Sequence, residues 1–331
     1  MTELTRRAAL AGVAATTLMP LAAATPVRAA APLADKQNAS FYRYNVGTHQ
    51  ITVVCDGVAT INLSDNYATG ATKEEIGKVF VEHHLPADKV THSFSPVVVN
   101  TGPKLVVIDT GLGPDQFTQS KGRTGQFHAN LAAANIDRNA VDTVIISHFH
   151  GDHINGLLAA ESKPAFANAE IMVPAAEWKF WMDDGEMSKG MGNPILENNF
   201  KNIRRVFDAL GRKVTPYEAG KELAPGITSL ASPGHTPGHT SFIVASGSDK
   251  VLVQVDITAG AAFLFVKHPE WNLASDVDKP LAVQTRRKLY DMAIAEKMPI
   301  QAFHAAFPGL VRVEKDGSGY RWIPAIWNAS L

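Results

Sequence analysis

Runs of apolar residues, some alternating with polar ones and some continuous, divide the chain into elements. Residues 42–46 and 50–55 read as strands, with Asp56-Gly57 as a turn after them. Residues 72–84 have helical spacing: Ile76, Val79 and Phe80 share one face, and Thr72 stands as a cap ahead of Glu74 and Glu75. Residues 96–100 and 104–108 form a hairpin around Thr101-Gly102, and a helix over 125–135 leads into a buried strand at 143–147. Further strands are expected at 171–173, 227–231, 241–244, 251–255 and 300–303, and helices at 175–182, 198–210 and 279–296. Strands and helices alternate in both halves with hairpins between them. This order predicts an α/β layered sandwich rather than an all-α or all-β fold.

The first residues follow another logic. Thr5-Arg6-Arg7 precedes a mild alanine-rich run that ends in small residues at Val27-Arg28-Ala29. Paired arginines before a weakly apolar stretch predict an export leader of the twin-arginine kind over residues 1–29, which places the mature protein in the periplasm or outside the cell. The run is rich in Ala and Thr and holds Pro20, so it makes a poor membrane span. No later run of about 18 apolar residues occurs, and no stable membrane span is expected. Residues 30–331 are read as one catalytic domain.

Composition narrows the chemistry. Lys+Arg 31 against Asp+Glu 32 gives a formal net charge of −1, with no electrostatic case for nucleic acid. Removing the leader, with three arginines and one glutamate, makes the chain mildly acidic, which suits a small neutral substrate. One cysteine, Cys55, excludes a disulfide framework and a cysteine-built zinc site, and it reads as a small buried hydrophobe. There are, by contrast, 12 histidines.

Their placement carries the argument. Ser147-His148-Phe149-His150-Gly151-Asp152-His153 follows directly on an apolar strand, crowding imidazoles and a carboxylate onto one loop. Ser232-Pro233-Gly234-His235-Thr236-Pro237-Gly238-His239 lies between two strands. Val251–Val255 runs into Asp256, and the strand at 300–303 runs into His304. The same device thus appears four times, a strand with a donor at its end.

The string His148-x-His150-x-Asp152-His153, then His235, Asp256 and His304, resembles the ligand set of the metallo-β-lactamase fold superfamily. The resemblance spans about residues 42–325 and implies an αββα four-layer sandwich with a dinuclear site at one edge of the sheets. It implies His148, His150 and His235 around one metal, Asp152, His153 and His304 around the other, and Asp256 bridging. It places His239 behind the ligands and gives Asp109 the role of orienting them. No cysteine stands at a ligand position, a departure from the branches that hydrolyse β-lactams. The layout is similar to the branch of methyl parathion hydrolases with its lactonase and aryl-esterase relatives. That similarity puts Trp181 on the pocket wall, with Phe117 and Phe127 as further wall residues. Ala259 stands where small quorum-quenching lactonases carry a tyrosine near the substrate carbonyl.

Two divalent ions about 3.5–4 Å apart share one water and lower its pKa toward about 7. The expected activity is therefore attack of a metal-bridging hydroxide on a small neutral lactone, aryl ester or phosphotriester, with Asp152 or Asp256 passing a proton to the leaving group. An all-His/Asp set suits zinc, and manganese, iron or cobalt are compatible. The competing readings are a mononuclear iron enzyme like the persulfide dioxygenases and a metal-binding protein without catalysis. A homodimer is left open.

Overall fold

The computed structural model describes Leu33 and residues 37–331, so the expected leader at 1–29 lies outside the described residues. Residues Ala39–Leu331 form one compact unit. Two seven-stranded sheets face each other inside it. The first runs Phe41–Val46, His49–Val54, Val97–Asn100, Leu105–Ile108, Thr143–Ile145, Glu170–Pro174 and Thr215–Tyr217 in spatial order. The second runs Glu222–Ala224, Ile227–Ala231, Thr240–Ser246, Asp249–Val255, Ile300–Ala302, Leu310–Asp316 and Gly319–Pro324.

The period of two along each strand decides which layer a side chain enters. Val97, Val99, Val106 and Ile108 point between the sheets, where they meet Phe242, Val244, Val251 and Val253. Their neighbours Val98, Val107 and Val144 point outward onto Leu131, Phe200, Ile203 and Phe207. On the second sheet Leu252, Ile300 and Val311 face Leu289, Tyr290 and Ala293 of the helix Lys279–Ala295. Helix, sheet, sheet, helix is the expected four-layer αββα order. Strands covered on both faces are continuously apolar, which is why 97–99 and 105–108 show no alternation in sequence.

Several boundaries move for local reasons. The first helix is Lys73–Glu82, closed by a reciprocal cap in which Glu75 N–H donates to Thr72 Oγ1 and Thr72 N–H to Glu75 Oε2. The helix expected from 125 begins at Phe127, because Gly125 has φ +75°. The one expected from 198 begins at Pro194, with Asn193 capping and proline in the first turn. The chain does not simply turn at Asp56-Gly57. Asp56 is fully buried, and its carboxylate accepts N–H bonds from Leu112 (2.9 Å), Phe127 (2.8 Å) and Gly125 (3.3 Å). Burial pushes that carboxyl up to about 7 against these three donors. Gly57, at φ +121°, opens a strand Gly57–Asn62 that pairs with Lys89–Phe94 outside the main sheets. No helix of the described residues is long and apolar enough to cross a membrane.

Candidate metal centre and cavity

The four donor-bearing strand ends meet at one edge of the sandwich. Strand Thr143–Ile145 leads into His148 and His150, and the one-turn helix Gly151–Ile154 carries Asp152 and His153. Strand Asp249–Val255 ends with Val255 at φ +53°, a conformation unusual for a β-branched residue, and delivers Asp256. Strand Ile300–Ala302 delivers His304, and the loop between Ile227–Ala231 and Thr240–Ser246 delivers His235.

Hydrogen bonds behind the ring fix which nitrogen each imidazole turns inward. Asp109, itself at φ +59°, accepts the Ser147 N–H at 2.8 Å, the Ser147 hydroxyl at 2.7 Å and His153 Nδ1–H at 2.8 Å. Because the Ser147 proton goes to Asp109, its oxygen accepts from His148 Nδ1–H at 3.0 Å. His235 Nδ1–H donates to Asp276 at 2.7 Å, and His304 Nδ1–H to the Ser93 carbonyl at 2.8 Å. All four rings therefore turn Nδ1 outward and Nε2 toward the centre. His239 stands behind them: Nδ1–H donates to the Ser232 carbonyl (3.0 Å), and Nε2 accepts the Asp256 N–H (3.1 Å). It holds the backbone of a donor rather than acting as one.

The donors form two groups, His148, His150 and His235, and Asp152, His153, Asp256 and His304, with atoms in each group within 4.8 Å of one another. In the first, His150 Nδ1 lies 3.2 Å from His148 Nε2 and 2.9 Å from His235 Nε2. In the second, His304 Nε2 lies 3.1 Å from Asp256 Oδ2 and 3.4 Å from Asp152 Oδ2. Asp256 Oδ2 is also 3.5 Å from His235 Nε2, so this carboxylate touches both groups. Buried lone pairs that face one another are costly unless a cation stands among them. His153 Nε2 and Asp256 Oδ1 are buried without any hydrogen-bond partner, and the set has nitrogen and oxygen donors with no thiolate. The residues fit divalent metal ions.

The electrostatics divide the ligand rings: His148 and His150 are held below the usual range, and, against burial, His153, His235 and His304 are held above it by neighbouring carboxylates. Burial, with His153 beside it, holds His148 well below its usual range, and burial with His235 takes His150 down to about 3, so both rings are neutral as ligands must be. Burial also opposes charge on His304, but Asp256 and Asp152 outweigh it and carry that ring up to about 9. A cation entering the second group must therefore displace a proton from His304 at neutral pH. Zinc affinity is expected to rise with pH from 6 to about 9, with proton release on binding, measurable by calorimetry in buffers of different ionisation enthalpy. The metal-free fold has the opposite slope from this residue. A raised His304 stabilises it fully below pH about 6.5, the unfolded value, and that contribution is lost as pH rises through about 9.

The structure brings together all seven residues expected to hold metal, but places none of the three expected wall aromatics on the cavity. Trp181 is fully buried; its indole N–H donates to Glu177 at 2.7 Å, and its ring lies 6.4 Å from that of His150. A Trp this large, with a partner for its polar edge, is core behind a ligand rather than wall. Phe127 is core against Leu131 and Val144. Phe117 is 45% exposed on the short helix Pro114–Gln119 and packs over Gly122, away from the cavity. Cys55 is buried, as expected of a small hydrophobe.

The wall comes instead from residues scattered along the chain. A cavity of about 410 Å³ is floored by His150, Asp152, His235, Asp256 and His304 and walled by Ser64, Asn66, Tyr67, His92, Ile195, Ala259 and Leu273. Glu177 was not visible as a site residue either. It is fully buried and accepts N–H bonds from Phe149 (3.1 Å) in the first ligand loop and Gly238 (2.6 Å) in the second. In sequence it stands with Lys179 among alanines and aromatics, with no spacing to single it out.

Residues 92–257, just over half of the chain, match the family model of the Metallo-beta-lactamase superfamily. The chain is similar to an N-acyl homoserine lactonase of a Bacillus species, 27% identical over 220 residues, which is 63% of this chain and 75% of that protein. It is also similar to the N-acyl homoserine lactonase AttM of Azorhizobium caulinodans, 28% identical over 183 residues, covering 51% and 60% of the two chains. Among solved structures, the dizinc quorum-quenching lactonase AidC, in complex with a product, has a TM-score of 0.80 at 24% identity, covering 87% of this chain and 98% of that one. The hydrolase AbOPH of the beta-lactamase superfamily has a TM-score of 0.77 at 26% identity, covering 88% and 100%.

Proposed function

The chain belongs to the metallo-β-lactamase superfamily and is a metallohydrolase, and from that premise we propose that it opens small neutral lactones, with aryl esters as secondary substrates and phosphotriesters as a side activity. The observation that carries this is Asp256, whose carboxylate touches both donor groups at the floor of a cavity walled by neutral side chains. The lactonase names of the relatives support the substrate class.

Two divalent ions, zinc by the ligand type, supply a nucleophile from water at neutral pH and Lewis acidity at the substrate carbonyl. His148, His150 and His235 would hold one, Asp152, His153 and His304 the other, and Asp256, which touches both groups, would serve both. Asp152, with 20% of its side chain exposed, reaches the cavity and carries the proton to the departing oxygen. Ile195, Ala259 and Leu273 take the acyl or aryl part and exclude water around it. A mononuclear site would leave Asp152, His153 and His304 clustered without a role, which counts against the iron-enzyme reading. The paired arginines at Arg6 and Arg7 support export of the folded, metal-loaded chain; cell fractionation tests it, with the protein expected outside the cytoplasm.

A substrate panel on zinc-loaded protein tests the reading: an acyl-homoserine lactone, dihydrocoumarin, p-nitrophenyl acetate and methyl parathion. Turnover is expected to fall in the order lactones, aryl ester, phosphotriester. No turnover of any of them with zinc, manganese or cobalt bound would overturn it.

A further inference from the structure

One hydrogen-bond donor in the cavity wall has no acceptor among the described residues. Tyr67 is 8% exposed, its ring lying against His92 and Phe265 at centroid distances of 6.2 and 6.5 Å. Its hydroxyl oxygen accepts the Ala261 N–H at 2.8 Å. Gly260 makes the approach feasible, because a Cβ there would stand 2.3 Å from that oxygen. The bond from Ala261 uses a lone pair and leaves the hydroxyl proton, which meets no acceptor among the described residues. A buried donor left unmatched costs about 1–3 kcal/mol. Tyr67 lines the same cavity as Asp152, Asp256 and His304, and the segment that anchors its oxygen follows five residues after Asp256. Burial pushes the phenol well above its ordinary range, so it remains a donor across the working pH.

We propose that Tyr67 donates this hydrogen bond to the carbonyl oxygen of the bound lactone or ester. The inference rests on the hydrolase reading above. As the nucleophilic oxygen bonds to the carbonyl carbon, the π pair moves onto the carbonyl oxygen, and the Tyr67 hydrogen bond strengthens while its proton stays on the phenol. When the carbonyl re-forms, the ring C–O bond breaks, its electron pair goes to the departing oxygen, and that oxygen takes the proton that Asp152 carries from the attacking water. A donor fixed in advance by Ala261 needs no reorganisation as the charge develops, which is what makes such a bond worth more in the transition state than in the ground state.

The test is Tyr67→Phe, which keeps the ring in its packing, in zinc-loaded full-length protein. The expected result is a fall in kcat of about 10²-fold with KM changed less than threefold, unchanged zinc content and an unchanged shape of the pH profile. A purely structural role predicts a lower Tm with kcat preserved. That outcome, a rise in KM alone, or a loss of rate that follows loss of zinc would each overturn the proposal. If wild-type protein hydrolyses no lactone or ester, the functional reading and this inference fall together. If wild-type turns over and Tyr67→Phe equals it, only the inference falls.

Discussion

Asp256→Asn is expected to lower lactone kcat/KM by about 10³-fold or more, a loss of about 4 kcal/mol in transition-state stabilisation. The amide has the same shape and preserves the backbone N–H bond to His239. It removes the charge of the only carboxylate among the described residues that lies within 3.5 Å of both His235 and His304. It also leaves the imidazoles of the second group facing an amide in place of one of their two carboxylates. Mass spectrometry of the folded protein should find less metal than in wild type, and circular dichroism should find the fold unchanged. Full metal content with full activity would show that Asp256 does not join the two groups.

Glu177→Ala is expected to have the next largest effect, although Glu177 carries no ligand atom. Its Oε2 accepts the Phe149 N–H and the Trp181 indole N–H, and its Oε1 accepts the Gly238 N–H. Truncation leaves three buried donors unmatched, at a cost of about 3–5 kcal/mol in stability. Two ligand loops also lose their common tie, so zinc affinity is expected to drop about 10–100-fold. Glu177→Gln separates the two effects. One amide oxygen can keep the Phe149 and Trp181 bonds, but the amide NH₂ then faces the Gly238 N–H, so the loop bearing His235 is disturbed more than the one bearing His148. Denaturant unfolding and competitive zinc titration read the two quantities. Affinity unchanged in both variants would reduce Glu177 to a core residue.

The metal centre was legible because of how the fold makes it. Strands covered on both faces must be apolar, so a donor that ends such a strand stands out, and His148, Asp256 and His304 each do so. The four layers were legible for the same reason, as the continuous runs at 97–99 and 105–108 imply cover on both sides. The cavity wall was not. Tyr67, His92, Ile195 and Leu273 come from separate segments that only the folded chain brings together, and no spacing encodes their meeting. Trp181, Phe127 and Phe117 were misplaced because aromatic residues serve core and wall alike, and what separates them is a partner such as Glu177. That partner and Asp56 are buried carboxylates bound to backbone N–H groups. In sequence they look like any charged residue near a turn or on a helix. The small sheet Gly57–Asn62 with Lys89–Phe94 was missed because its first strand is mostly exposed and both strands carry mixed polarity.

The central claim is that the seven converging donors form a two-metal hydrolytic centre. Chelator-stripped protein titrated with zinc, with bound metal and lactone hydrolysis followed in the same samples, tests it most directly. The account predicts that activity is absent without metal and reaches its plateau at two zinc ions per chain. A plateau at one ion per chain, or two ions bound with no hydrolysis of any lactone or ester, would contradict it.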